Sequence, residues 1–337
     1  MELKEVLFSL AEAYGASGSE SPAAELACGL LREYCPDARI VSGNVIGTYG
    51  TKRDGLPHLV LDAHIDQVGF VVTSITDEGF VKFDQLGGID RRLIAAQPVI
   101  IHGKHDISGV ICSIPPHLSG GSEVPKYDDT AIDTGMTHDE LAEIVSEGDS
   151  VTFDVKCRSL LNERVTGGAL DDRSGVAAIF YALELMQGRE LAYNVTVVFS
   201  CQEEVGERGA KIGAYQFDPD IALAVDVSFA AAIGEDERKC GKLGAGPMIG
   251  VSPSLSREVT DGLISAAKTA SIPYQVEVMN GGTGTNADRY SVNRSGCKAC
   301  TVSIPLRNMH TPVEVIDLSD VRTTAELIAA YITEGKR

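Results

Sequence analysis

The segment Asn194–Gly206, which reads NVTVVFSCQEEVG, gives the clearest indication of the fold of this chain. Its residues Val195–Phe199 are β-branched or apolar without interruption, which is typical of a central strand buried on both faces of a parallel sheet. Glu203 and Glu204 follow at the carboxyl end of this strand, where ligands bind in open α/β sheets. The two carboxylates point in different directions, so one can bind a metal ion while the other transfers a proton. The alternative for an isolated Glu-Glu pair is a solvated acidic loop.

Polar residues follow several of the predicted strands. Such strands, each an apolar run, are predicted at 58–63, 194–199, 221–225 and 300–304. His64 and Asp226 directly follow two of these runs, and His310 lies a few residues after another. Asp171 and Asp172 precede a helix, where paired aspartates either cap the helix or project as ligands into the cleft at the strand ends.

These positions together form a candidate metal centre. Its members are His64, Asp171, Glu203, Glu204, Asp226 and His310. Two histidines with carboxylates favour zinc, cobalt or manganese over magnesium and calcium, which prefer oxygen ligands. One ion takes about four ligands, so the set suffices for two ions ~3.5–4 Å apart if one carboxylate bridges them.

Asp66 lies two residues after His64, and residues two apart on an extended segment point the same way. An imidazole that binds a metal usually donates its other N–H group to a carboxylate, which fixes its orientation. Asp66 can accept this bond directly or through the local turn. Taken alone, a histidine in this pattern is more often a surface or core residue.

The α/β pattern is interrupted from 67 to 156 by short strands separated by Gly, Pro and Asp turns. Helices are predicted at 2–13, 21–34, 174–186, 255–270 and 318–332. The fold class is therefore α/β, with a discontinuous catalytic domain, residues 1–66 and 157–337, and a small β-rich domain inserted at 67–156.

The composition excludes several classes of partner. The 337 residues include 48 acidic and 29 basic ones, for a formal charge of −19, which argues against nucleic acids and anionic membranes. There is no run of 18 apolar residues and no signal-peptide core. The eight cysteines are scattered, as free thiols of a reducing compartment are. We therefore expect a cytoplasmic protein.

The motifs resemble those of the cocatalytic metallo-aminopeptidases known as deblocking, glutamyl or TET aminopeptidases, some relatives of which were once labelled endoglucanases. The matching motifs are Ala63–Asp66, Ala169–Gly175, Glu203–Gly206 and His310–Glu314. The resemblance runs nearly end to end and implies a mixed-sheet catalytic domain of the zinc-exopeptidase type. It also implies that the insert is a PDZ-like dimerisation domain, on the matches at Gly87–Asp90 and Gly148–Ser150.

The resemblance assigns a role to each candidate residue. It implies that Asp171 bridges two divalent ions, zinc or else cobalt or manganese, and that the coordination is completed by His64, Glu204, Asp226 and His310. Glu203 is then the general base and Asp66 the partner that orients His64. The resemblance further implies peptide substrates, a cis peptide bond after Asp171, and homodimers that assemble into a dodecamer. The insert is expected to carry subunit contacts rather than chemistry.

Two stretches depart from the family pattern. Gln67 stands where the family commonly has Glu, and Gly282–Asn286 stands where it commonly has Gly-Gly-Thr-Asp-Ala. An aspartate near the substrate is therefore missing or displaced, which bears on substrate recognition rather than on metal binding.

Three alternative functions remain. A related cocatalytic dipeptidase or carboxypeptidase would use the same residues, and a metal-binding scaffold would hold ions without turnover. A glycoside hydrolase needs two carboxyl groups ~5–10 Å apart and no metal, which leaves the histidines without a role. The absence of tryptophan also weakens sugar stacking.

Overall fold

The computed structural model describes residues 2–115, 117 and 124–334. The helices described are α1 (Leu3–Glu12), α2 (Ser21–Leu31), α3 (His138–Ala142), α4 (Leu170–Leu185), α5 (Arg208–Phe217), α6 (Arg257–Thr269), α7 (Ala287–Ser291) and α8 (Leu318–Glu334). The strands are β1 (Arg39–Val41), β2 (Asn44–Tyr49), β3 (His58–His64), β4 (Gly69–Ile75), β5 (Val81–Leu86), β6 (Pro98–His102), β7 (Asp106–Ser113), β8 (Thr130–Asp133), β9 (Ser150–Phe153), β10 (Arg158–Ser159), β11 (Arg164–Gly167), β12 (Asn194–Ser200), β13 (Ile221–Phe229), β14 (Met248–Val251), β15 (Gln275–Val278), β16 (Lys298–Leu306) and β17 (Glu314–Asp317).

An eight-stranded mixed sheet forms the centre of the molecule, in the order β1-β2-β12-β3-β13-β16-β14-β15. The neighbours β12, β3, β13 and β16 run parallel, and antiparallel pairs flank them on both sides. Val195, Val197, Val198 and Phe199 of β12 are buried, as the uninterrupted apolar run predicts. Because the four central strands are parallel, their carboxyl ends meet at one edge of the sheet.

Helix α4 packs against the middle of this sheet and is buried over most of its length. It contacts β3 and β13 on one side and α8 on another, so it is covered on several faces. Its apolar residues join the large core formed by the sheet and by helices α1, α2, α6 and α8. Asp171 and Asp172, at its start, are not helical, and the peptide bond between them is cis, as the resemblance implies. Helix α4 thus carries Asp171 into the edge where the strands end.

Six short strands form a closed barrel between β3 and β10, in the order β4-β5-β8-β7-β6-β9. The barrel has a separate hydrophobic core that includes Phe70, Phe83, Ile101 and Val151. Alternate residues of its strands face this core, which is why the segment reads as short alternating runs rather than as long apolar ones. The PDZ-like character of this segment stays a prediction.

A small three-stranded sheet, β10-β11-β17, joins the chain around 160 to the segment before α8. It pairs Gly167 with Glu314, which places the start of α4 next to the motif that contains His310. Among the described helices, none is long and apolar enough to cross a membrane.

Candidate active site

The residues predicted from the sequence converge at the carboxyl edge of the four central strands. His64 is the last residue of β3, and Asp226 lies near the end of β13. Glu203 and Glu204 follow β12, and His310 lies in the turn after β16. These residues lie far apart in the chain, and the parallel sheet brings them together.

One group of potential metal ligands consists of His64, Asp171 and Asp226, all buried. The Nε2 atom of His64 lies 3.0 Å from Oδ1 of Asp171 and 3.8 Å from Oδ1 of Asp226. The ligand atoms of this group all lie within 4.8 Å of one another, which is close enough to surround a single ion.

A second group consists of Asp171, Glu204 and His310, again with ligand atoms within 4.8 Å of one another. The Nε2 atom of His310 lies 3.3 Å from Oδ2 of Asp171 and 3.4 Å from Oε2 of Glu204. Asp171 therefore presents one carboxylate oxygen to each histidine. This is the arrangement required of a carboxylate that bridges two ions.

Asp66 is completely buried and connects His64 to the loop that carries the two glutamates. Its Oδ1 accepts the backbone N–H of Glu203 at 2.9 Å, and its Oδ2 accepts that of Glu204 at 3.1 Å. The Nδ1 atom of His64 lies 3.1 Å from the backbone oxygen of Asp66 and 3.5 Å from its carboxylate. Asp66 thus contacts the imidazole through both its carbonyl and its side chain, and it also fixes the glutamate loop.

Glu314 has a supporting role that the sequence did not reveal. Its Oε2 accepts the backbone N–H of Asp171 at 3.1 Å, and its Oε1 accepts that of His310 at 2.9 Å. One buried carboxylate thus holds the backbones of two candidate ligands. The sequence motif shows that Glu314 lies four residues after His310. Nothing in the sequence shows that the backbone of Asp171 contacts Glu314.

The described part of the insert supplies none of the candidate ligands, but its main chain contacts one of them. The backbone oxygen of Gly88, which lies between β5 and β6, accepts a hydrogen bond from Nδ1 of His310 at 2.7 Å. A Cβ atom on the neighbouring Gly87 would lie 3.3 Å from the Glu204 side chain. Because the main chain of this segment passes so close to the ligands, it orients His310 although it supplies no ligand itself.

The electrostatics of the site suit divalent cations. Burial raises the pKa of the Glu203 carboxyl to about 7 and that of Glu204 to about 8, and the negative charge of Asp171 adds to both increases. Burial and nearby carboxylates also raise the pKa of Asp226 well above its usual range. Buried carboxylates that suppress each other's ionisation need positive charge nearby. The two donor groups, which combine imidazole and carboxylate atoms, therefore fit a pair of divalent ions.

Asp172 and the late loop have structural roles. Asp172 accepts the backbone N–H groups of His64 and Gly175, so it caps α4 and supports β3. Asn286 is buried and donates to the Asp62 carboxylate at 2.6 Å. The Asp288 carboxylate accepts hydrogen bonds from the backbone N–H groups of residues 283 and 284, and these bonds stabilise the loop internally. At Gln67, the other departure, the buried side-chain oxygen has no partner among the described residues.

A mixed sheet with carboxylates and imidazoles at the ends of its parallel strands defines the class of this protein as an α/β protein with a candidate metal centre. More narrowly, the chain belongs to the M42 glutamyl aminopeptidase family, whose sequence model matches residues 43–327. This membership agrees with the resemblance drawn from the motifs.

The similarity to individual relatives extends over nearly the whole chain. The lysyl aminopeptidase of Pyrococcus furiosus is 30% identical over 342 residues, which cover 98% of this chain and 97% of the relative. The solved structure of an aminopeptidase from Desulfurococcus kamchatkensis gives a TM-score of 0.93 at 33% identity, covering 99% of this chain and 95% of that one. The TET1 peptidase of Pyrococcus horikoshii, which can assemble into a tetrahedron or a large octahedral shell, gives 0.88 at 32% identity, covering 99% and 100%.

Proposed function

We propose that this protein is a dinuclear metallo-aminopeptidase that removes residues from the N-termini of peptides. The observation that carries the proposal is the position of Asp171, whose two carboxylate oxygens belong to two different donor groups. His64 and Asp226 would hold one ion and Glu204 and His310 the other. Family membership and the aminopeptidase relatives support the choice of reaction.

The ions supply Lewis acidity when bound, which lowers the pKa of water toward neutrality and polarises a carbonyl group. Glu203 belongs to neither donor group, and its backbone is held by Asp66. Its carboxylate accepts the proton of the attacking water and returns it to the leaving amine, as a general base and then acid. Asp66 holds the imidazole of His64 and the loop that carries Glu203 and Glu204 in fixed positions relative to each other.

We further propose that the segment 67–156 is a dimerisation domain and that the dimers assemble into a larger homo-oligomer. The TET1 peptidase of Pyrococcus horikoshii, which resembles this chain over its full length, can assemble into a tetrahedron or a large octahedral shell. In such a shell the catalytic sites would face an enclosed space, so that unfolded peptides would enter while folded proteins would not.

The proposal is tested with a panel of aminoacyl-chromogenic substrates and their N-acetylated counterparts. We expect turnover of the free-amine forms to disappear after chelation and to return with zinc, cobalt or manganese, whereas the acetylated forms stay uncleaved. Turnover that persists after complete removal of divalent ions would contradict the metal mechanism. Equal turnover of acetylated and free substrates would contradict the assignment as an aminopeptidase.

A further inference from the structure

The turn Gly15–Glu20, which connects α1 to α2, lies against the catalytic edge although it supplies no candidate ligand. Two backbone hydrogen bonds connect this turn to Gln67, the residue that follows Asp66. Ser17 donates its N–H to the Gln67 carbonyl at 3.1 Å, and Gln67 donates to the carbonyl of Gly15 at 3.0 Å. The side chains of this turn therefore sit at fixed positions beside the site.

Ser17 is buried and donates its hydroxyl to Oδ2 of Asp66 at 2.5 Å. The same oxygen accepts the backbone N–H of Glu204 at 3.1 Å. Hydrogen bonds to an ionised carboxylate are short and about twice as strong as neutral ones. Ser17 thus fixes the oxygen to which the backbone of a candidate metal ligand is bound.

Glu20 makes a second connection from the same turn. Its Oε1 accepts the N–H of Gly18 at 2.6 Å and that of Gln202 at 3.2 Å. Together with Asp66, it binds three consecutive N–H groups of the glutamate loop, at residues 202, 203 and 204. Each of these N–H groups points at a carboxylate oxygen.

The glutamate loop requires such support because of its backbone conformation. Gln202 has a φ of 55°, a left-handed conformation that is unfavourable for a residue other than glycine. The loop therefore has a conformational cost that the bonds to Glu20 and Asp66 offset. Arg173, fully buried, donates to the carbonyls of Leu10 and Ala13 and so anchors the chain before the turn.

We propose that Ser17 and Glu20 are positioning residues, which hold the glutamate loop so that Glu203 and Glu204 reach their working positions. This inference rests on the proposed function for its kinetic readout. A purely structural role would lower the stability of the protein and leave the turnover of the folded enzyme unchanged. A positioning role predicts changes in kcat, in metal affinity and in the exchange of the loop amides.

Ser17→Ala tests the first contact, and Ser19→Ala is the matched control. The hydroxyl of Ser19 forms no hydrogen bond with any described residue, although it lies in the same turn. We expect Ser17→Ala to lower kcat and zinc affinity by roughly 10–100-fold, the usual effect of removing a residue that supports a ligand. KM should change little, and the amides of 202–204 should exchange faster in hydrogen-exchange mass spectrometry. Ser19→Ala should match the wild type in all four measurements.

Glu20→Met and Glu20→Gln test the second contact and do not depend on the folding of Ser17→Ala. Methionine removes the acceptor at similar volume, whereas glutamine keeps an oxygen that can accept from Gln202. We expect faster exchange at 202–204 and lower kcat in Glu20→Met, and smaller changes in Glu20→Gln.

Two outcomes would overturn the inference: a folded Ser17→Ala that matches Ser19→Ala in turnover, zinc affinity and amide exchange, or equal behaviour of the two Glu20 variants. If the wild type itself shows no aminopeptidase activity, the proposed function fails instead. Zinc titration of the metal-free protein and amide exchange still decide the positioning role in that case.

Discussion

At the scale of single residues, two adjacent glutamates have different surroundings. The Oε2 atom of Glu204 lies 3.4 Å from Nε2 of His310, inside a donor group. The Glu203 carboxylate belongs to neither group, and within the described part of the chain no side chain donates a hydrogen bond to it. A partly buried carboxylate that accepts no side-chain hydrogen bond is free to accept a proton, and desolvation raises the pKa of Glu203 to about 7. This difference supports the division into a base and a ligand.

Glu203→Gln removes the proposed base and keeps the shape of the side chain. We expect kcat to fall by at least ~10²–10⁴-fold, the range attributed to general acid–base catalysis, while two zinc ions per chain remain in elemental analysis. Glu207→Gln is the control, because Glu207 lies in the same loop and pairs with Arg289 outside both donor groups. A Glu203→Gln enzyme with the turnover of the control would remove Glu203 from its proposed role.

Glu314 supports two candidate ligands at once, because its two oxygens each accept one backbone N–H. In Glu314→Gln, one of these oxygens becomes an NH₂ group, so one buried N–H loses its acceptor at a cost of about 1–3 kcal/mol. We expect a lower free energy of unfolding by urea for the metal-free variant, and weaker zinc binding. Glu326→Gln on α8 should change neither quantity, and equal urea midpoints for the two variants would contradict the prediction.

At the scale of elements, the sequence predicted the parts of the fold that depend on long apolar runs. The strand predicted at 221–225 begins the observed β13, and the one predicted at 300–304 lies within β16. Buried parallel strands are uninterrupted apolar segments, and that signal is local. The helix predicted at 174–186 begins after the observed start of α4 at Leu170. The difference arises because Asp171 and Asp172, at the start of α4, do not have helical backbone angles.

The contacts that complete the site were not predictable from local patterns. Gly88 and His310 are 222 residues apart, and Asp171 and Glu314 are 143 apart. The short strands β11 and β17, which bring Glu314 to Gly167, have too few residues to give a periodic signal. The six candidate site residues were therefore predicted as a set, whereas the backbone groups that orient them are visible only in the tertiary structure.

The approach of the segment between β5 and β6 to the site can be tested at Gly87. Its φ is 80°, and an added Cβ would lie 2.8 Å from Val68 and 3.3 Å from Glu204. Gly135 has a similar φ of 74°, and an added Cβ there would have no neighbouring heavy atom of the described residues within 4 Å. Gly135→Ala therefore has the backbone cost without the steric one. We expect both variants to lose about 1–2 kcal/mol of stability from the backbone alone. Only Gly87→Ala should also lose turnover, and equal activity of the two would contradict a role for this close approach.

At the scale of the whole molecule, the barrel and the catalytic sheet are coupled through Gly88 and His310. Deleting the segment 67–156 would therefore remove a group that orients a candidate ligand, and any loss of activity would not report on assembly. A test of the proposed oligomer has to leave Gly87 and Gly88 in place. A surface substitution on a part of the barrel away from Gly87 and Gly88 meets this condition.

Ile114, at the end of β7, is 50% exposed and lies with Phe80, which is 36% exposed, along one groove on the barrel. If the barrel carries the subunit contacts, burying this apolar pair contributes to them and a charge there opposes association. We expect the wild type to sediment as a large oligomer and Ile114→Asp to form smaller species that still cleave short aminoacyl substrates. Leu161→Asp, at an 84% exposed position outside the barrel, is the control and should sediment as the wild type does. A wild-type chain that stays monomeric at micromolar concentration with zinc bound would defeat the proposed assembly, and an unchanged Ile114→Asp oligomer would exclude this groove from the contacts.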